Sequence, residues 1–560
     1  MSKQLIECVP NFSEGRDGNV IRQITQVIET VEGVKLLDVD PGKATNRTVV
    51  TFVGEPAPVI EAAFLAIQKA STLIDMSKHH GEHPRMGATD VCPLIPIANI
   101  SMDEVVEWAN KLAKRVGEEL EIPCYLYEYA ATKPAWKNLA TVRAGEYEAL
   151  PDKLVKPEWK PDYGPAKFNA RSGATAISAR DFLIAYNINL NTTSVRRANS
   201  VAFDVRENGR VKREGDPITG KVVKDANGKP ERVPGACKAV KGIGWYIEEY
   251  GIAQISMNLT NINVTPLHIA FEECRKSADR RGLRVTGSEL VGLVPLKVML
   301  DAGRYFLKKQ ERSIGVSEEE LIKIAVKSLG LDELTPFDPQ KKIIEYQMRD
   351  ADSDPLVAMN LRAFANETAS ESVAPGGGSV SAYVGALGIS LATMVANLSS
   401  HKRGWDDRWE EFSEWADRGQ QIKDALLKLV DEDTRAFNAI LSAFRLPKGN
   451  AEEQAARKEA IQAATKMAIE VPFRTMELAL QSFEVIKAMA EHGNPNSSSD
   501  AGVGALCARA AVHGAYLNVK INTDDLEDKA YVEAILKKAA AMAKRSDELE
   551  AEVLLIVGGK

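Results

Sequence analysis

Three of the seven histidines in the chain lie within five positions, in the stretch MSKHHGEHPRMGATDVCPLIP at residues 76–96. An imidazole binds metal ions through a ring nitrogen, and it transfers protons well because its pKa lies near neutrality. His79, His80 and His83 therefore suggest a metal site or an acid/base centre, with a polar surface turn as the alternative. The surrounding residues bear on each interpretation.

A helical zinc site needs the pattern H-E-x-x-H, which places two imidazoles on one helix face beside a glutamate. The order here is H-H-G-E-H-P at residues 79–84, and both the glycine and the proline disfavour a helix. The helical zinc geometry is therefore lost. A metal site formed by these histidines from a loop stays open.

His83 is the best placed of the three for proton transfer. It lies between Glu82 and the Pro84-Arg85 pair, just before the predicted strand TDVCPLIPI. The proline and the following strand could hold its backbone in place. An imidazole held in this way suits the attack of an amine on an electrophilic carbon.

The first part of the chain also resembles a known family, the glutamate formiminotransferases, from residue 1 to about residue 348. The stretches that carry the resemblance are ECVPNFSEG at 7–15, LLDVD at 36–40, TNRTVVTFVG at 45–54, GEHPRMGATDVCP at 81–93, VRAGEYEAL at 142–150, GIGWY at 242–246 and LVGLVPLK at 290–297. The resemblance implies that His83 is the catalytic proton donor and acceptor. It also implies a folate-contacting loop formed by Gly164, Pro165, Ala166, Lys167, Phe168, Asn169, Ala170, Arg171, Ser172 and Gly173.

The implied reaction is transfer of a formimino group between 5-formiminotetrahydrofolate and L-glutamate. The glutamate ammonium must lose a proton before its nitrogen attacks, and folate N5 must gain one as it leaves. One imidazole can serve both steps. Lys167 and Arg171 offer positive charge for carboxylates, or are solvated loop residues. Asp40, Glu82 and Glu289 are weaker candidates for contacts with the pterin or the ammonium group.

A second candidate residue lies in the stretch QIKDALLKLVDEDTRAFNAILSAF, which predicts one helix. Asp433 completes a stripe with steps of three and four that otherwise contains the apolar residues Ile422, Leu426, Val430, Phe437, Ile440 and Phe444. Asp431 is about 200° away on the helix and should face elsewhere. An inward carboxyl would have a raised pKa and could donate a proton, or it could be a buried structural aspartate.

The stretch SVAPGGGSVSAYVGALG at 372–388 places three glycines before a predicted helix. Free N–H groups at a helix start suit an anion or a closely packed ligand, although the pattern alone favours a helix-start loop without a ligand. APGGGSVSA, LVDEDTRAF and the later GAYLNVKIN resemble formiminotetrahydrofolate cyclodeaminases over residues 357–560. The resemblance maps the catalytic aspartate to Asp433, with Asp500 and Asn518 as secondary polar candidates.

The order of the two resemblances is that of the bifunctional formimidoyltransferase-cyclodeaminase family. In the second implied reaction, folate N10 attacks the formimino carbon, ammonia leaves and 5,10-methenyltetrahydrofolate forms. This chemistry needs an acid beside the carbon and no metal. The family places these reactions in histidine degradation, on a tetrahydrofolate that we expect to carry a polyglutamate tail. A tethered tail would raise the local folate concentration at the second site.

Hydrophobic periodicity indicates the elements that must position these residues. Short β-branched strands alternate with helices up to about residue 130, and a similar series restarts near residue 182. The stretch at 150–181 is rich in proline, glycine and lysine and predicts a loop. Residues 206–235 contain two Asn-Gly pairs and predict a polar ribbon. From residue 357, alanine-rich helical spacing predicts a bundle of five or six helices.

The predicted fold class is α/β plus all-α. Two related α/β sandwich subdomains, each a sheet with helices on one face, precede a helical-bundle domain. The predicted boundaries are 1–181 and 182–348 for the two subdomains, 349–356 for a linker and 357–560 for the bundle. The bundle is expected to dimerise, giving a homo-oligomer built from dimers.

Composition limits the partners. The net charge of −7 and the pI near 5.8 provide no basic field for nucleic acid or an anionic membrane. No signal peptide or membrane span is expected, and six scattered cysteines without a C-x-x-C pair fit a reducing cytoplasm. Three functional alternatives remain open: a transferase whose helical domain only dimerises, a metal-dependent amidohydrolase that uses the histidines, and a non-catalytic folate-binding scaffold.

Overall fold

The computed structural model describes residues 4–43, 45–81, 84–215, 219–348 and 355–559. The chain forms two compact units, one made of residues 1–298 and 329–348 and the other of residues 299–328 and 349–560. This grouping differs from the predicted boundaries at residues 299–328, which pack with the helical unit. The other predicted boundaries, including the division at residue 181, stay predictions.

The first unit begins with a seven-stranded sheet in the order β3-β4-β1/β2-β5-β7-β6. Strands β1 and β2 are two parts of one interrupted strand, since both lie between β4 and β5. Helices α1, α2 and α3 pack on one face. The bounds are β1 (Leu5–Cys8), β2 (Asn11–Phe12), α1 (Gly18–Glu29), β3 (Val34–Gly42), β4 (Arg47–Gly54), α2 (Pro56–Leu73), β5 (Thr89–Ala98), α3 (Met102–Glu119), β6 (Cys124–Glu128) and β7 (Thr175–Ala179).

Side-chain alternation separates the two faces of this sheet. Ile6, Cys8, Phe52 and Leu94 belong to the core that the helices cover. Because successive strand residues point to opposite faces, the intervening residues, such as Glu7, face away from the helices. The second face of the sheet, which these helices do not cover, thus carries polar side chains such as Glu7.

Strand β7 corrects the prediction of a loop at 150–181. It lies between β5 and β6, is parallel to both, and all five of its residues are buried. A strand buried on both faces has no polar alternation, and TAISA consists of small residues, so the period-two signal is absent. Two short helices, α4 (Leu139–Val142) and α5 (Leu150–Leu154), precede it.

A second, four-stranded antiparallel sheet has the order β13-β14-β8-β15. Its β-α-β-β-α-β sequence repeats that of the first sheet, where the equivalent order is β3-β4-β1-β5. The prediction of two related subdomains is therefore confirmed. The bounds are β8 (Ile184–Leu190), α6 (Val195–Val205), β13 (Val240–Ile247), β14 (Ile252–Leu259), α7 (Leu267–Asp279) and β15 (Val285–Val291).

The polar stretch at 206–235 forms two small ribbons, as its turn residues predict. One ribbon pairs β9 (Arg210–Val211) with β12 (Arg232–Val233), and the other pairs β10 (Arg213–Glu214) with β11 (Lys221–Val222). Gly228 in the second Asn-Gly pair has φ +76°, which glycine adopts without strain. The first unit also contains α10 (Pro339–Lys342) and α11 (Ile344–Met348).

The second unit is helical, as predicted. Its central helix α13 packs against α14, α15 and α16. An 18-residue window of α13 is apolar enough to cross a membrane, but 61% of it is buried within the bundle. The bounds are α8 (Leu296–Lys309), α9 (Glu318–Leu329), α12 (Leu361–Thr368), α13 (Gly377–Ser400), α14 (Trp409–Phe444), α15 (Ala451–His492), α16 (Ser498–Asn522) and α17 (Lys529–Gly558).

The predicted stripe of α14 is correct only in part. Ile422, Leu426 and Val430 are buried, but Phe437 and Phe444 are 39% and 51% exposed. Beyond Asp433 the inward positions are instead the alanines at 436 and 443. Alanine faces allow helices to approach closely, so the aromatic residues lie at the edge of the packed surface.

Candidate functional sites

The residues around the histidine cluster are held by a dense set of hydrogen bonds. His79 Nδ1 accepts from Arg85 Nε at 3.3 Å, so its Nε2–H donates to Asn46 O at 2.8 Å. Burial is the main cause that lowers the pKa of His79, which favours this neutral form. Both ring nitrogens of His79 are therefore engaged within the protein. His83 and Glu82 lie outside the described residues.

Arg85 fixes the segment that follows the histidines. Its guanidinium makes two hydrogen bonds to Glu148, at 2.7 and 2.9 Å, and one to Glu146 Oε2 at 3.1 Å. Tyr147 N, between the two glutamates, donates to Arg85 O at 2.9 Å. Charge-assisted bonds in this bidentate geometry are strong and directional. The segment after His83 is thus tied to the VRAGEYEAL stretch.

The predicted folate loop, Gly164–Gly173, lies against the same segment. Ala88 N donates to Ser172 O at 2.8 Å, and Ala174 N donates to Met86 O at 3.1 Å. A Cβ on Gly173, whose φ is +66°, would lie 2.1 Å from Met86 O. Only glycine allows the two backbones to approach so closely. The structure therefore brings the loop beside the GEHPRMG motif.

Within the loop, the two cations differ in their surroundings. Arg171 donates to Ser71 O and Thr72 O at the end of α2, so its guanidinium is already engaged. The Lys167 side chain is exposed. The Phe168 ring packs 5.5 Å from that of Tyr147, whose hydroxyl donates to Ala170 O at 2.6 Å. Lys167 is the better placed of the two cations to meet a substrate carboxylate.

The first unit also contains a cavity of about 950 Å³ that the sequence did not predict. The helix-free face of the first sheet forms one wall, and residues of the second sheet, including Lys241 and Asn258, form the other. Asp40, one of the predicted candidates, lines the cavity. Its residues come from strands far apart in the sequence. The alternation in β1 and β3 places polar side chains such as Asp38 and Asp40 on this face, but it does not indicate that a second sheet closes a cavity over it.

A buried aspartate joins the cavity wall to the histidine motif. Asp90 Oδ2 pairs with Arg47 Nη1 at 2.5 Å and with Arg143 Nη2 at 2.7 Å, and both arginines line the cavity. The other oxygen, Oδ1, accepts from Met86 N at 3.0 Å. One carboxylate therefore pairs with two cavity arginines, balancing one of their two charges, and holds the motif that contains His83.

Glu7 is a further cavity residue and is only 3% exposed. On its own sheet face it lies between Val53 and Ile95, which are both buried. This apolar burial, opposed by Arg180 and reinforced by Glu345, raises the pKa of Glu7 to about 7. The cavity therefore holds a carboxyl group that titrates near neutral pH. Glu289, by contrast, accepts from Asn187 Nδ2 at 3.2 Å on the second sheet.

In the helical unit, Asp433 of α14 lies beside the N-terminus of α13. Its Oδ2 accepts from Ser379 N at 2.9 Å and from Ser379 Oγ at 3.2 Å. Burial raises the pKa of Asp433, while the two bonds from Ser379 oppose this shift. The carboxyl is therefore oriented, and its protonated form persists above the usual pH range, as the sequence predicts. Asp431 accepts from Leu356 N and Val357 N and is structural.

The glycine run of the APGGG motif makes room for this carboxyl group. A Cβ on Gly378 would lie 2.2 Å from Asp433 Oδ1, and a Cβ on Gly377 would lie 3.1 Å from Asn518 Nδ2. Asn518 is thus brought beside the site. Asp500 lies 18 residues earlier on the same helix, about 27 Å along its axis, and is not brought there.

Among the described residues, no group of three His, Cys, Asp or Glu side chains converges in a geometry that could hold a metal ion. His79, the described histidine with both ring nitrogens bonded, offers no free lone pair. These observations provide no support for the loop metal site.

The comparisons with known proteins agree with this arrangement. Residues 5–180 match the family described as Formiminotransferase domain, N-terminal subdomain; residues 185–349 match Formiminotransferase domain; and residues 360–541 match Formiminotransferase-cyclodeaminase. These matches confirm both of the resemblances that the motifs carry.

Relatives of three kinds are similar to the chain. It is 44% identical over 556 residues to formimidoyltransferase-cyclodeaminase of Rattus norvegicus, covering 99% of this chain and 98% of the relative. It is 41% identical to glutamate formimidoyltransferase of Streptococcus pyogenes serotype M1, covering 55% and 95%. It is 32% identical to methenyltetrahydrofolate cyclohydrolase of Methylorubrum extorquens, covering 36% and 96%. The chain belongs to the formimidoyltransferase-cyclodeaminase family.

Proposed function

We propose that the chain transfers a formimino group between 5-formiminotetrahydrofolate and L-glutamate, and cyclises 5-formiminotetrahydrofolate to 5,10-methenyltetrahydrofolate with release of ammonia. Similarity over nearly the full length of a bifunctional relative carries this proposal. The two units supply two separate candidate sites, one in the α/β unit and one at Asp433. Each reaction is assigned to one of them.

The transferase reaction is proposed to use His83 as its acid and base. In one direction, the imidazole takes the proton from the glutamate ammonium, the nitrogen attacks the formimino carbon, and the proton passes to folate N5 as that bond breaks. The tetrahydrofolate would lie in the cavity and along the loop at 164–173. The hydrogen bond from Met86 N to Asp90 and the ion pair of Arg85 with Glu148 support this proposal, because they hold the motif that contains His83.

The cyclodeaminase reaction is proposed to use Asp433. Folate N10 attacks the formimino carbon, the carboxyl group passes the proton lost by N10 to the departing nitrogen, and ammonia leaves. The raised pKa of Asp433 supports this assignment, since a protonated carboxyl can donate near neutral pH. Its bonds to Ser379 hold the acid in one orientation.

Two variants test the assignments in the full-length protein. His83→Ala should abolish transfer of the formimino group to glutamate and leave methenyltetrahydrofolate formation unchanged. Asp433→Asn should do the opposite, as measured by the near-ultraviolet absorbance of the methenyl product. Methenyl formation that survives Asp433→Asn would show that the assignment to Asp433 is wrong, whereas a wild type that forms no methenyl product would favour a helical unit that only dimerises.

The cyclohydrolase relative favours a second candidate activity for the helical unit. That relative is similar over 200 residues, and its name describes hydrolysis of methenyltetrahydrofolate. Water would attack the same carbon from which ammonia departs, and the carboxyl group could take its proton. Incubation of purified methenyltetrahydrofolate with the wild type and with Asp433→Asn, without ammonia, measures this activity directly.

The remaining expectations belong to the same proposal. A role in histidine degradation, a cytoplasmic location and a polyglutamylated folate would fit the two reactions. Channelling predicts that the fused protein releases less free 5-formiminotetrahydrofolate than a mixture of His83→Ala and Asp433→Asn proteins. Equal release would argue against it.

Homo-oligomerisation is supported by an exposed apolar stripe on α13. Leu387, Met394 and Leu398 recur with helical spacing and are all exposed. A second copy of the helical unit would cover such a stripe. Sedimentation velocity of Met394→Lys and of the wild type tests this, because a charge in the interface should favour smaller species.

A further inference from the structure

Glu7 is a buried carboxyl group in the cavity of the first unit that lacks a partner among the described residues. Glu7 is 3% exposed and lines the cavity, yet its carboxylate makes no hydrogen bond and no ion pair among the residues that the structure describes. Buried carboxylates in proteins are normally hydrogen-bonded or paired. A group of this kind facing a cavity indicates a missing ligand.

Two other charged groups of the cavity are paired. Arg47 and Arg143 both contact Asp90, whose single negative charge balances one of the two cations. Arg180 Nη1 donates to the backbone at Asp181 O at 2.9 Å, and its charge acts on Glu7 without forming a direct ion pair with it in the described part of the chain. The charge of Arg180 therefore lowers the pKa of Glu7, but Arg180 does not supply the hydrogen bonds that the buried carboxylate needs.

The sheet face around Glu7 is suited to a flat ring. Val9, Val49, Val91 and Pro93 line the same cavity with apolar surface, on the strands that flank Glu7. A planar ring system could lie against this surface with its edge toward the carboxylate. The ligand must then present N–H donors along one edge.

The pteridine ring of a folate has such an edge. Its N3–H and 2-amino group are adjacent and parallel, and a carboxylate accepts two parallel N–H donors in bidentate geometry. We propose that Glu7 binds the N3–H and 2-amino edge of the pteridine ring and so positions the folate in the cavity. This inference rests on the proposed transferase function.

A change of protonation accompanies this contact. Ionised Glu7 accepts two N–H bonds, whereas its protonated form has a donor where an acceptor is needed. Since the pKa of Glu7 is about 7, binding of the ring at neutral pH should release protons. The charged groups that act on Glu7 directly are Arg180 and Glu345. The other ionisable groups that line the cavity are Arg47 and Arg143, which pair with Asp90, and Asp38, Asp40, Tyr127, Glu128, Tyr129, Lys137, Asp181 and Lys241.

The test compares Glu7→Gln with the wild type in the full-length protein. We expect the KM for 5-formiminotetrahydrofolate in the transferase reaction to rise at least ten-fold, with the KM for glutamate changed less than two-fold. Glu29→Gln, on the exposed end of α1, is the matched control and should change neither constant. The unchanged KM for glutamate checks that the first unit is folded, and cyclodeaminase activity of the same preparation checks the other unit, which contains Asp433.

Fragments of the substrate locate the contact. By titration calorimetry, Glu7→Gln should weaken binding of 6-methyltetrahydropterin and leave p-aminobenzoylglutamate, which lacks the ring, unaffected. An analogue without the 2-amino group keeps only the N3–H contact, so Glu7→Gln should weaken its binding less than that of 6-methyltetrahydropterin. Loss of affinity for glutamate alone would overturn the proposal and assign Glu7 to the amino-acid substrate, as would an unchanged affinity for the pterin.

Proton release distinguishes binding from a structural role. Calorimetry at pH 7 in buffers of different ionisation enthalpy should detect proton release when the pterin binds to the wild type, and none with Glu7→Gln. Equal release by both proteins would contradict the proposal. If the wild type shows no transferase activity, the proposed function fails, while the pterin titrations still report on Glu7.

Discussion

Asp433 Oδ2 accepts a hydrogen bond from Ser379 N at 2.9 Å, which joins the candidate acid of α14 to the first turn of α13. The two residues are 54 positions apart in the chain. Ser379 Oγ donates in addition to Val430 O at 2.8 Å, so the serine bridges the backbone and the side chain of α14. The glycine run before Ser379 thus positions a carboxyl group, which explains why small residues precede this helix.

Gly378→Ala should therefore impair the cyclodeaminase reaction selectively. The added Cβ would lie 2.2 Å from Asp433 Oδ1, so the carboxyl group must move. A displacement of about 1 Å at a reacting group costs up to about 100-fold in rate. We expect a loss of that order in kcat for methenyl formation, measured by absorbance, with transferase activity unchanged.

Gly376→Ala is the control for this variant. It lies two positions earlier in the same glycine run, at the helix N-cap, and a Cβ there has no atom within 4 Å. It should retain most of the cyclodeaminase rate. Equal losses in both variants would show that the run needs flexibility rather than space for Asp433.

Gly173→Ala should damage the transferase half. Ala would need φ near +66°, which costs about 1 kcal/mol, and its Cβ would lie 2.1 Å from Met86 O. The clash with backbone adds to the conformational cost, giving a total of about 3 kcal/mol. We expect loss of transferase activity and a lower unfolding midpoint for the first unit. Circular dichroism measured during urea titration gives this midpoint.

Gly282→Ala separates the two causes. Gly282 has φ +68° but open space around its Cβ position, so only the conformational cost of about 1 kcal/mol applies. The variant should unfold at slightly lower urea concentration and keep full transferase activity. If it loses as much stability as Gly173→Ala, close packing of the loop against the GEHPRMG motif is not the reason for glycine at 173.

Much of this architecture could be predicted from sequence because its signals are local. The alternation in QLIEC and RTVVTFVG predicts half-buried strands, and the stripe through Val430 and Asp433 predicts an inward carboxyl with a raised pKa. Strand β7 was missed because small residues fill it, leaving little contrast between buried and exposed positions.

The cavity could not be predicted for a different reason. Glu7, Asp40 and Lys241 are brought together by strand pairing and by the two sheets of the first unit, and no local pattern records that pairing. The loop at 164–173 was predicted from the resemblance alone, since Gly173 approaches the backbone of Met86 and Gly164 that of Ile122, and such contacts leave no local pattern. The only sign of such long-range contacts in the sequence is a glycine, or a carboxyl residue at a position where an apolar residue is expected.

Arg85→Lys should lower transferase activity about ten-fold. A lysine retains the charge but cannot make the two parallel bonds to Glu148 and the bond to Glu146 together, so the segment after His83 loses its orientation. Because both glutamates are partly exposed, the loss of stability should stay near 1 kcal/mol. Steady-state transferase kinetics measure the effect.

Arg115→Lys is a matched control for that variant. Arg115 also bridges two carboxylates, Glu61 and Glu119, but on the helical face of the same sheet. Its substitution should cost a similar, small amount of stability and leave transferase kinetics unchanged. A similar fall in activity for both variants would attribute the effect to general loosening of the unit.

Glu7→Gln should change how the stability of the first unit depends on pH. The pKa of Glu7 rises from 4.5 in the unfolded chain to about 7 in the folded protein, so between these values the folded state binds more protons than the unfolded state. Stability of the wild type therefore falls as pH rises from about 4.5 to about 7, by a total of about 3 kcal/mol. Glutamine does not ionise, so this dependence should disappear.

Amide hydrogen exchange in peptides covering β1, β4 and β5, corrected for intrinsic rates, should show the wild type losing opening free energy relative to Glu7→Gln between pH 4 and pH 8. A constant difference across that range would mean that Glu7 titrates in the folded protein as it does in the unfolded chain, and its burial between Val53 and Ile95 would then carry no electrostatic cost.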